Sequence, residues 1–202
     1  MRKYLFFAVC LTGFALFFSA CSSTPRVTRV DADTQIDLSG QWNAADSQLV
    51  SREMIQDVLN RPWIADFTRR NGTQPRVIVG TVVNLSNEHI ATATFIADLQ
   101  RALINSGKVI FVASADARGE IREERLDQAI HARRDTAAPM GQETGADFML
   151  QGRINTILDT VSGRRVIFYQ VDLELINMRN NEKVWIGQKK IQKFIARNRF
   201  RA

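Results

Sequence analysis

The spacing of apolar residues predicts two helices near the start of the ordered sequence. Apolar residues recur every four positions at Val50, Met54 and Val58. Because this spacing places side chains on one face of a helix, a helix is predicted over residues 46–60, with Asp46 or Ser47 as its N-cap. A proline then favours a short second helix over residues 63–70, which Gly72 ends.

A strand–helix–strand unit is predicted next. Residues 76–83 form an almost unbroken β-branched run, which is typical of a central strand buried on both faces. Gly80 within this run indicates a bulge or a close backbone approach. A helix follows over residues 92–105, Gly107 suits its left-handed C-terminal turn, and residues 108–113 form the next strand.

The segment after this unit is highly charged. Residues 115–131 carry acidic and basic side chains three and four positions apart, which predicts a solvated helix. Its large apolar residues are Ile121, Leu126 and Ile130. A loop is predicted over residues 133–139, followed by one helical turn over residues 140–144.

The last third alternates with period two and predicts a three-stranded antiparallel meander. Its strands are residues 147–158, 165–177 and 183–194, with turns at 162–163 and 180–181. The side chains predicted to face the core are Phe148, Leu150, Ile154, Leu158, Tyr169, Val171, Leu173 and Leu175. Together the elements predict an α/β (α+β) fold, with a mixed sheet of four to five strands and three to four helices.

The N-terminus has the features of an export signal. Basic residues at 2–3, an apolar run over 4–18 and small residues at 19–20 precede Cys21. This order resembles the lipobox of bacterial lipoproteins, in which Cys21 would be acylated and become the mature N-terminus. Ser22, rather than Asp, follows the cysteine and favours the outer membrane. The alternative is a short membrane helix, although the run is at or just below the ~17–25 residues that span a bilayer.

Three segments follow from these features. Residues 1–20 are predicted to be a lipoprotein signal peptide, 21–38 a flexible tether, and 39–202 a single globular domain with a basic C-terminal tail. At about 3.3 Å per residue, roughly 20–25 tether residues reach at most about 70–80 Å.

The cysteine content and the charge distribution limit which classes of partner the chain is expected to bind. The cysteines are Cys10, in the leader, and Cys21, so the mature domain has no disulfide and no catalytic thiol. The net charge of +6 is misleading, because basic residues are concentrated at the C-terminus. They are Lys189, Lys190, Lys193, Arg197, Arg199 and Arg201, with no acid from position 189 onward. Nucleic acid is therefore a poor partner, whereas an anionic lipid headgroup or a cell-wall polymer is a better one.

The sequence contains none of the common catalytic, phosphate-binding or metal-binding motifs. The sequence lacks a nucleophile elbow, a phosphate-binding loop and metal-ligand spacing, and His89 and His131 are isolated. The sequence therefore predicts no enzyme, no metal and no cofactor. Trp63 and Trp185 are interpreted as core residues rather than sugar-stacking platforms, whereas Trp42 lies near the tether.

One candidate docking surface remains, on the polar face of the meander. It consists of Gln151, Arg153, Asn155, Gln170, Asp172 and Glu174. A mixed polar surface with few aromatics suits a non-obligate protein contact. The alternative is an ordinary solvated face.

Five stretches resemble the LpoB family. They are GQWN at 40–43 with Asp46-Ser47, RPWI at 61–64, DLQRALINSGKV at 98–109 leading into FVAS at 111–114, ETGADFMLQG at 143–152 and NEKVWIG at 181–187. The resemblance extends over almost the whole mature chain, from about residue 40 to 193.

The resemblance implies a regulator rather than an enzyme. Members are outer-membrane lipoproteins facing the periplasm that activate a bifunctional penicillin-binding protein, and their fold is a small sandwich like the TolB N-terminal domain. This chain departs from the enterobacterial pattern in its short tether, and no partner-contact residue can be matched.

Two alternatives remain open at this stage. A curli-type secretion component needs long amphipathic hairpins, which this sequence lacks. A wall-anchoring lipoprotein would use the basic tail to grip peptidoglycan or lipid.

Overall fold

The computed structural model describes residues 28–31, 34, 36, 39–161 and 163–196. The chain divides into two units, Met1–Thr34 and Gln35–Ala202, and every helix and strand below belongs to the second. The predicted signal peptide, Cys21, most of the tether, Ser162 and residues 197–202 of the basic tail lie outside the described residues. Among those that are described, no helix is long and apolar enough to cross a membrane.

The described chain forms four helices and one mixed sheet of five strands. The helices are α1 (Ala44–Leu59), α2 (Trp63–Asn71), α3 (Thr92–Asn105) and α4 (Ala115–His131). The strands are β1 (Arg76–Asn84), β2 (Ile110–Phe111), β3 (Phe148–Val161), β4 (Arg164–Asn177) and β5 (Lys183–Ala196). Their order is β2-β1-β3-β4-β5, with β1 parallel to β2 and β3, and the remaining pairs antiparallel. The predicted α+β class, the four longer helices and the meander are confirmed.

The start of α1 differs from the prediction. Asn43 is the N-cap, and its side chain accepts a hydrogen bond from the Asp46 amide at 3.1 Å, while Asp46 Oδ2 accepts from the Asn43 amide at 2.9 Å. The assignment of Asp46 or Ser47 as the cap was therefore wrong by one helical turn, because in a capping box the acidic residue occupies the third helical position. Lys193 Nζ also donates to Asp46 Oδ2 at 2.6 Å, which ties the helix start to β5.

The strand–helix–strand unit is confirmed with two corrections. Pairing between β1 and β3 shifts register between Val79 and Val82, so the predicted bulge at Gly80 is present. Burial on both faces holds only before this bulge, since Val83 is 45% exposed beyond it. The predicted strand over 108–113 pairs only at Ile110–Phe111, because it is an edge strand that follows β1 briefly.

Two further expectations fail in the second half. Leu158 is 52% exposed although it pairs with the buried Ile167, because burial along the core face of β3 ends after Ile154. Residues 140–144 form no helical turn; instead Gly141 adopts a φ of +73° in a tight turn. The charged helix α4 is confirmed and has no buried residue.

The core lies between one face of the sheet and the helices. Phe95, Leu99 and Leu103 of α3 pack there with the core-facing residues of β1, β3, β4 and β5. Trp63 and Trp185 belong to this core, as predicted, and Trp42 is partly buried against it. Trp42 packs edge-on against Tyr169 with ring centroids 5.4 Å apart. Helices α1 and α3 pack on the core face of the sheet, so neither of them covers the opposite face.

Candidate functional site

The face of the sheet opposite the core is named here the open face. It carries the odd-numbered side chains of β3 and the even-numbered side chains of β4 and β5, because successive strand residues point to opposite sides. The sequence pattern that buries Leu173 and Leu175 therefore presents Asp172 and Glu174 outward.

The structure brings all six predicted docking residues together. They form three adjacent cross-strand pairs, Gln151 with Glu174, Arg153 with Asp172, and Asn155 with Gln170. These pairs are named the polar rows. Directly paired side chains are close enough to interact, so the rows form one continuous surface across β3 and β4.

The two carboxylates of the polar rows are held by hydrogen bonds. Glu174 accepts from Gln151 Nε2 at 3.0 Å and pairs with Lys183 Nζ at 2.5 Å. These two hydrogen bonds, with Lys183 contributing most, lower the pKa of Glu174. Asp172 Oδ1 accepts from Gln170 Nε2 at 3.0 Å and from Gln188 Nε2 at 2.9 Å.

Arg153 is the least constrained charge of the rows. Its side chain is 59% exposed, and its Nε is 4.0 Å from Asp172 Oδ2. Since the carboxylates are already satisfied by neighbours, Arg153 is the group of the rows that is most available to a partner.

An apolar rim borders the polar rows. A shallow groove of about 610 Å³ runs between the rows and the side chains Thr81, Val83, Leu85 and Ile186. Leu85 and Ile186 are 57% and 65% exposed. The docking residues predicted from the sequence did not include this rim. The alternation within 183–194 could have placed Ile186 here, whereas Val83 reaches this face only because of the bulge in β1.

A second polar cluster, near Trp42, serves packing instead. The Tyr169 hydroxyl donates its one proton to the Glu88 carboxylate, both oxygens of which are 2.8 Å away, and Glu88 Oε2 also accepts from the Trp42 amide at 3.1 Å. Burial, and then the hydrogen bond to Glu88, raise the pKa of Tyr169. Tyr169 therefore stays neutral and holds the start of the folded unit against the sheet.

No site on the described part of the chain has the form of a metal centre. Among these residues, no group of three or more His, Cys, Asp and Glu side chains could hold an ion. His131 lies on α4 with Nε2 3.7 Å from Asp127 Oδ1, and both side chains are largely exposed. The open face thus has a polar centre and an apolar border.

Comparison with known proteins gives a family match. The family described as "Peptidoglycan-synthase activator LpoB" matches residues 46–191. No curated protein matches the chain.

Several solved structures are similar to the chain. The LpoB C-terminal domain from Escherichia coli is 16% identical, with 75% of this chain and 99% of that chain covered and a TM-score of 0.41. The corresponding domain from Salmonella enterica is 17% identical, with 64% and 93% covered and a TM-score of 0.36. Lipoprotein GNA1162 from Neisseria meningitidis is 16% identical, with 62% and 88% covered and a TM-score of 0.40.

Proposed function

The chain belongs to the LpoB family of peptidoglycan-synthase activators, and from this premise we propose that it binds and activates a bifunctional penicillin-binding protein. An acylated Cys21 anchors it to the outer membrane, and its folded domain faces the periplasm. It regulates the synthase and performs no catalysis of its own.

The family match is the observation that carries this proposal. It extends over residues 46–191, from the first turn of α1 into β5. It therefore includes the whole core and the polar rows. It also favours an activator over the curli-type secretion component considered from the sequence.

We assign the docking surface to the polar rows with their apolar rim. A specific interface buries about 800 Å² per partner, with an apolar core and a polar border. The open face has apolar and polar parts within one groove, with the polar rows at its centre and the apolar side chains at its border. Arg153 supplies an exposed charge that a partner carboxylate can pair with, which sets the register of the complex.

The test is binding and stimulation of the synthase. The chain is used as bait on membranes of its own organism, and the recovered synthase is assayed for glycan polymerisation. Arg153→Glu should abolish recovery and stimulation. Arg101→Glu is the matched control, since Arg101 is an exposed arginine paired with one aspartate at 3.0 Å, on α3 rather than on the sheet.

Each result has a separate meaning. If Arg153→Glu alone loses synthase recovery and stimulation, both the proposed function and the proposed docking surface are supported. If every variant recovers the synthase equally, the proposed function is supported and the docking surface lies elsewhere on the chain. If the folded chain recovers no synthase, the activator proposal fails and sedimentation with purified peptidoglycan tests the wall-anchoring alternative. Mass spectrometry of the N-terminal peptide tests acylation of Cys21 independently.

A further inference from the structure

The open face becomes apolar toward the turn between β3 and β4. Beyond the polar rows, Ile157 pairs with Phe168, and Val166 pairs with Phe194. Together with Val161 these residues are named the distal patch. Ile157, Val161 and Phe194 are 65%, 61% and 64% exposed. Apolar side chains this exposed and this close together mark an interaction surface.

Exposed basic residues lie beside the distal patch. Arg164 is on the open face opposite Val161, Lys190 is on the same face next to Gln170, and Arg165 is at the same end of β4 on the other face, against one exposed acid, Asp159. The sequence after residue 196 adds three arginines and no acid. An apolar centre with a basic border is complementary to an anionic lipid surface, which offers acyl chains below a negative headgroup layer.

The chain also enters the folded unit at this end. Gly40 lies against Ile195 of β5, so closely that a Cβ on Gly40 would be 2.3 Å from Ile195 Cδ1. Lys193 Nζ donates to the Gln41 carbonyl oxygen at 3.0 Å. Residues 21–38, the predicted tether, precede this point directly. An anchor at Cys21 is therefore joined to the end of the domain that carries the distal patch.

We propose that the distal patch contacts the surface of the anionic bilayer that anchors the chain. Ile157, Val161 and Phe194 enter the headgroup layer, Arg164 pairs with lipid phosphates beside them, and Arg165 reaches phosphates from the other face of the same sheet end. This inference rests on the lipid anchor of the proposed function, and it assigns the distal patch a role separate from docking on the synthase.

The geometry keeps the two surfaces apart. Arg153 and Val161 are eight residues apart on β3, which is about 26 Å at the rise of a strand. The polar rows can therefore stand above the lipid while the distal patch contacts it. Membrane contact orients the docking surface without covering it.

Two matched positions test the proposal. Ile157 and Ile186 are both 65% exposed and both lie on the open face, at its opposite ends. The full acylated chain is reconstituted in vesicles of phosphatidylglycerol and phosphatidylethanolamine, with Ile157→Cys or Ile186→Cys labelled by a polarity-sensitive fluorophore. We expect a blue shift and quenching by lipid-borne quenchers at position 157 and neither effect at 186. Vesicles of phosphatidylcholine alone should give a much weaker signal at 157.

Charge reversal tests the basic border. Arg164→Glu combined with Arg165→Glu should lower the lipid-contacting fraction by about tenfold or more, because each basic residue near an anionic surface adds to the attraction. Arg101→Glu on α3 is the control and should leave this fraction unchanged.

Several results would overturn the proposal. One is an equal fluorescence signal at positions 157 and 186, and another is a signal at 157 that is the same in anionic and neutral vesicles. A third is a blue shift that depends on protein concentration in the absence of vesicles, which would indicate contact with a second copy of the chain. Failure of the anchor is distinguishable, since the chain then does not co-purify with vesicles. Failure of the proposed function is distinguishable too, because stimulation of the synthase is measured in detergent solution.

Discussion

At the scale of single residues, Gly187 shows how closely the sheet is packed. A Cβ at this position would lie 2.1 Å from Trp185 Cζ2, because the indole lies across the glycine. Trp185 cannot move freely, since its indole N–H donates to Asp57 Oδ2 at 2.8 Å and only 6% of it is exposed.

Gly187→Ala should therefore destabilise the fold by about 1–3 kcal/mol, the usual cost of forcing a packed side chain aside. Gly119→Ala in α4 is the control. It meets nothing within 4 Å, and alanine should stabilise this helix by up to about 1 kcal/mol. Urea unfolding followed by tryptophan fluorescence measures both, and equal midpoints for the two variants would contradict the packing argument.

Glu174 makes stability depend on pH. Its pKa is lowered from 4.5, first by the hydrogen bond from Lys183 and then by that from Gln151. Because the folded pKa is below the unfolded one, ionised Glu174 stabilises the fold above the unfolded pKa. This contribution is lost as pH falls through the folded pKa.

Glu174→Gln should lower the free energy of unfolding at neutral pH by up to about 1 kcal/mol. In acid the difference should vanish, since protonated glutamate and glutamine then have similar charge and shape. Urea titrations at both pH values measure this, with Glu123→Gln on exposed α4 as the control. A difference that persists in acid would show that the carboxylate charge is not the cause.

At the scale of elements, α4 differs from the other helices. It has no buried residue, and Leu126 and Ile130 are 56% and 68% exposed. Its tertiary ion pairs join Arg122 to Glu143 through two contacts of 2.8 Å, and Arg125 to Glu143 at 3.5 Å. With so little burial, α4 should open without unfolding of the sheet.

Amide hydrogen exchange should be faster in α4 than in β4, and Glu143→Gln should accelerate it further. The midpoint of global unfolding should move little, because Arg122 is 56% exposed and Glu143 is itself open to solvent at 26%, so solvent weakens the pair. Asp66→Asn, which removes an exposed pair with Arg69 on α2, should leave exchange in α4 unchanged. Uniform acceleration throughout the sheet would contradict local opening.

Elements were the level at which the sequence was most informative. The four-residue spacing of Val50, Met54 and Val58 predicted α1 correctly, because helix period and burial agree there. The same reasoning failed at β2, since a run of β-branched residues shows strand preference and cannot show how long a neighbouring strand follows it.

At the scale of the whole folded unit, the two proposed contacts should separate. Arg153→Glu should lose stimulation of the synthase both in detergent and on vesicles. Arg164→Glu with Arg165→Glu should keep stimulation in detergent and lose part of it on vesicles, because orientation at the lipid surface is lost. Polymerisation assays in the two settings measure this. Loss in detergent with the double variant would mean that the distal end contacts the synthase itself.

Local periodicity was enough to identify the long elements and the side chains that share a strand face, because these follow from periods of 3.6 and 2. It therefore assembled all six polar-row residues correctly. Burial depends on what covers a face, so only the tertiary structure showed that Leu158 is exposed and that the bulge turns Val83 outward. It also placed Gly40 beside Ile195, a contact between distant parts of the chain that no local period encodes.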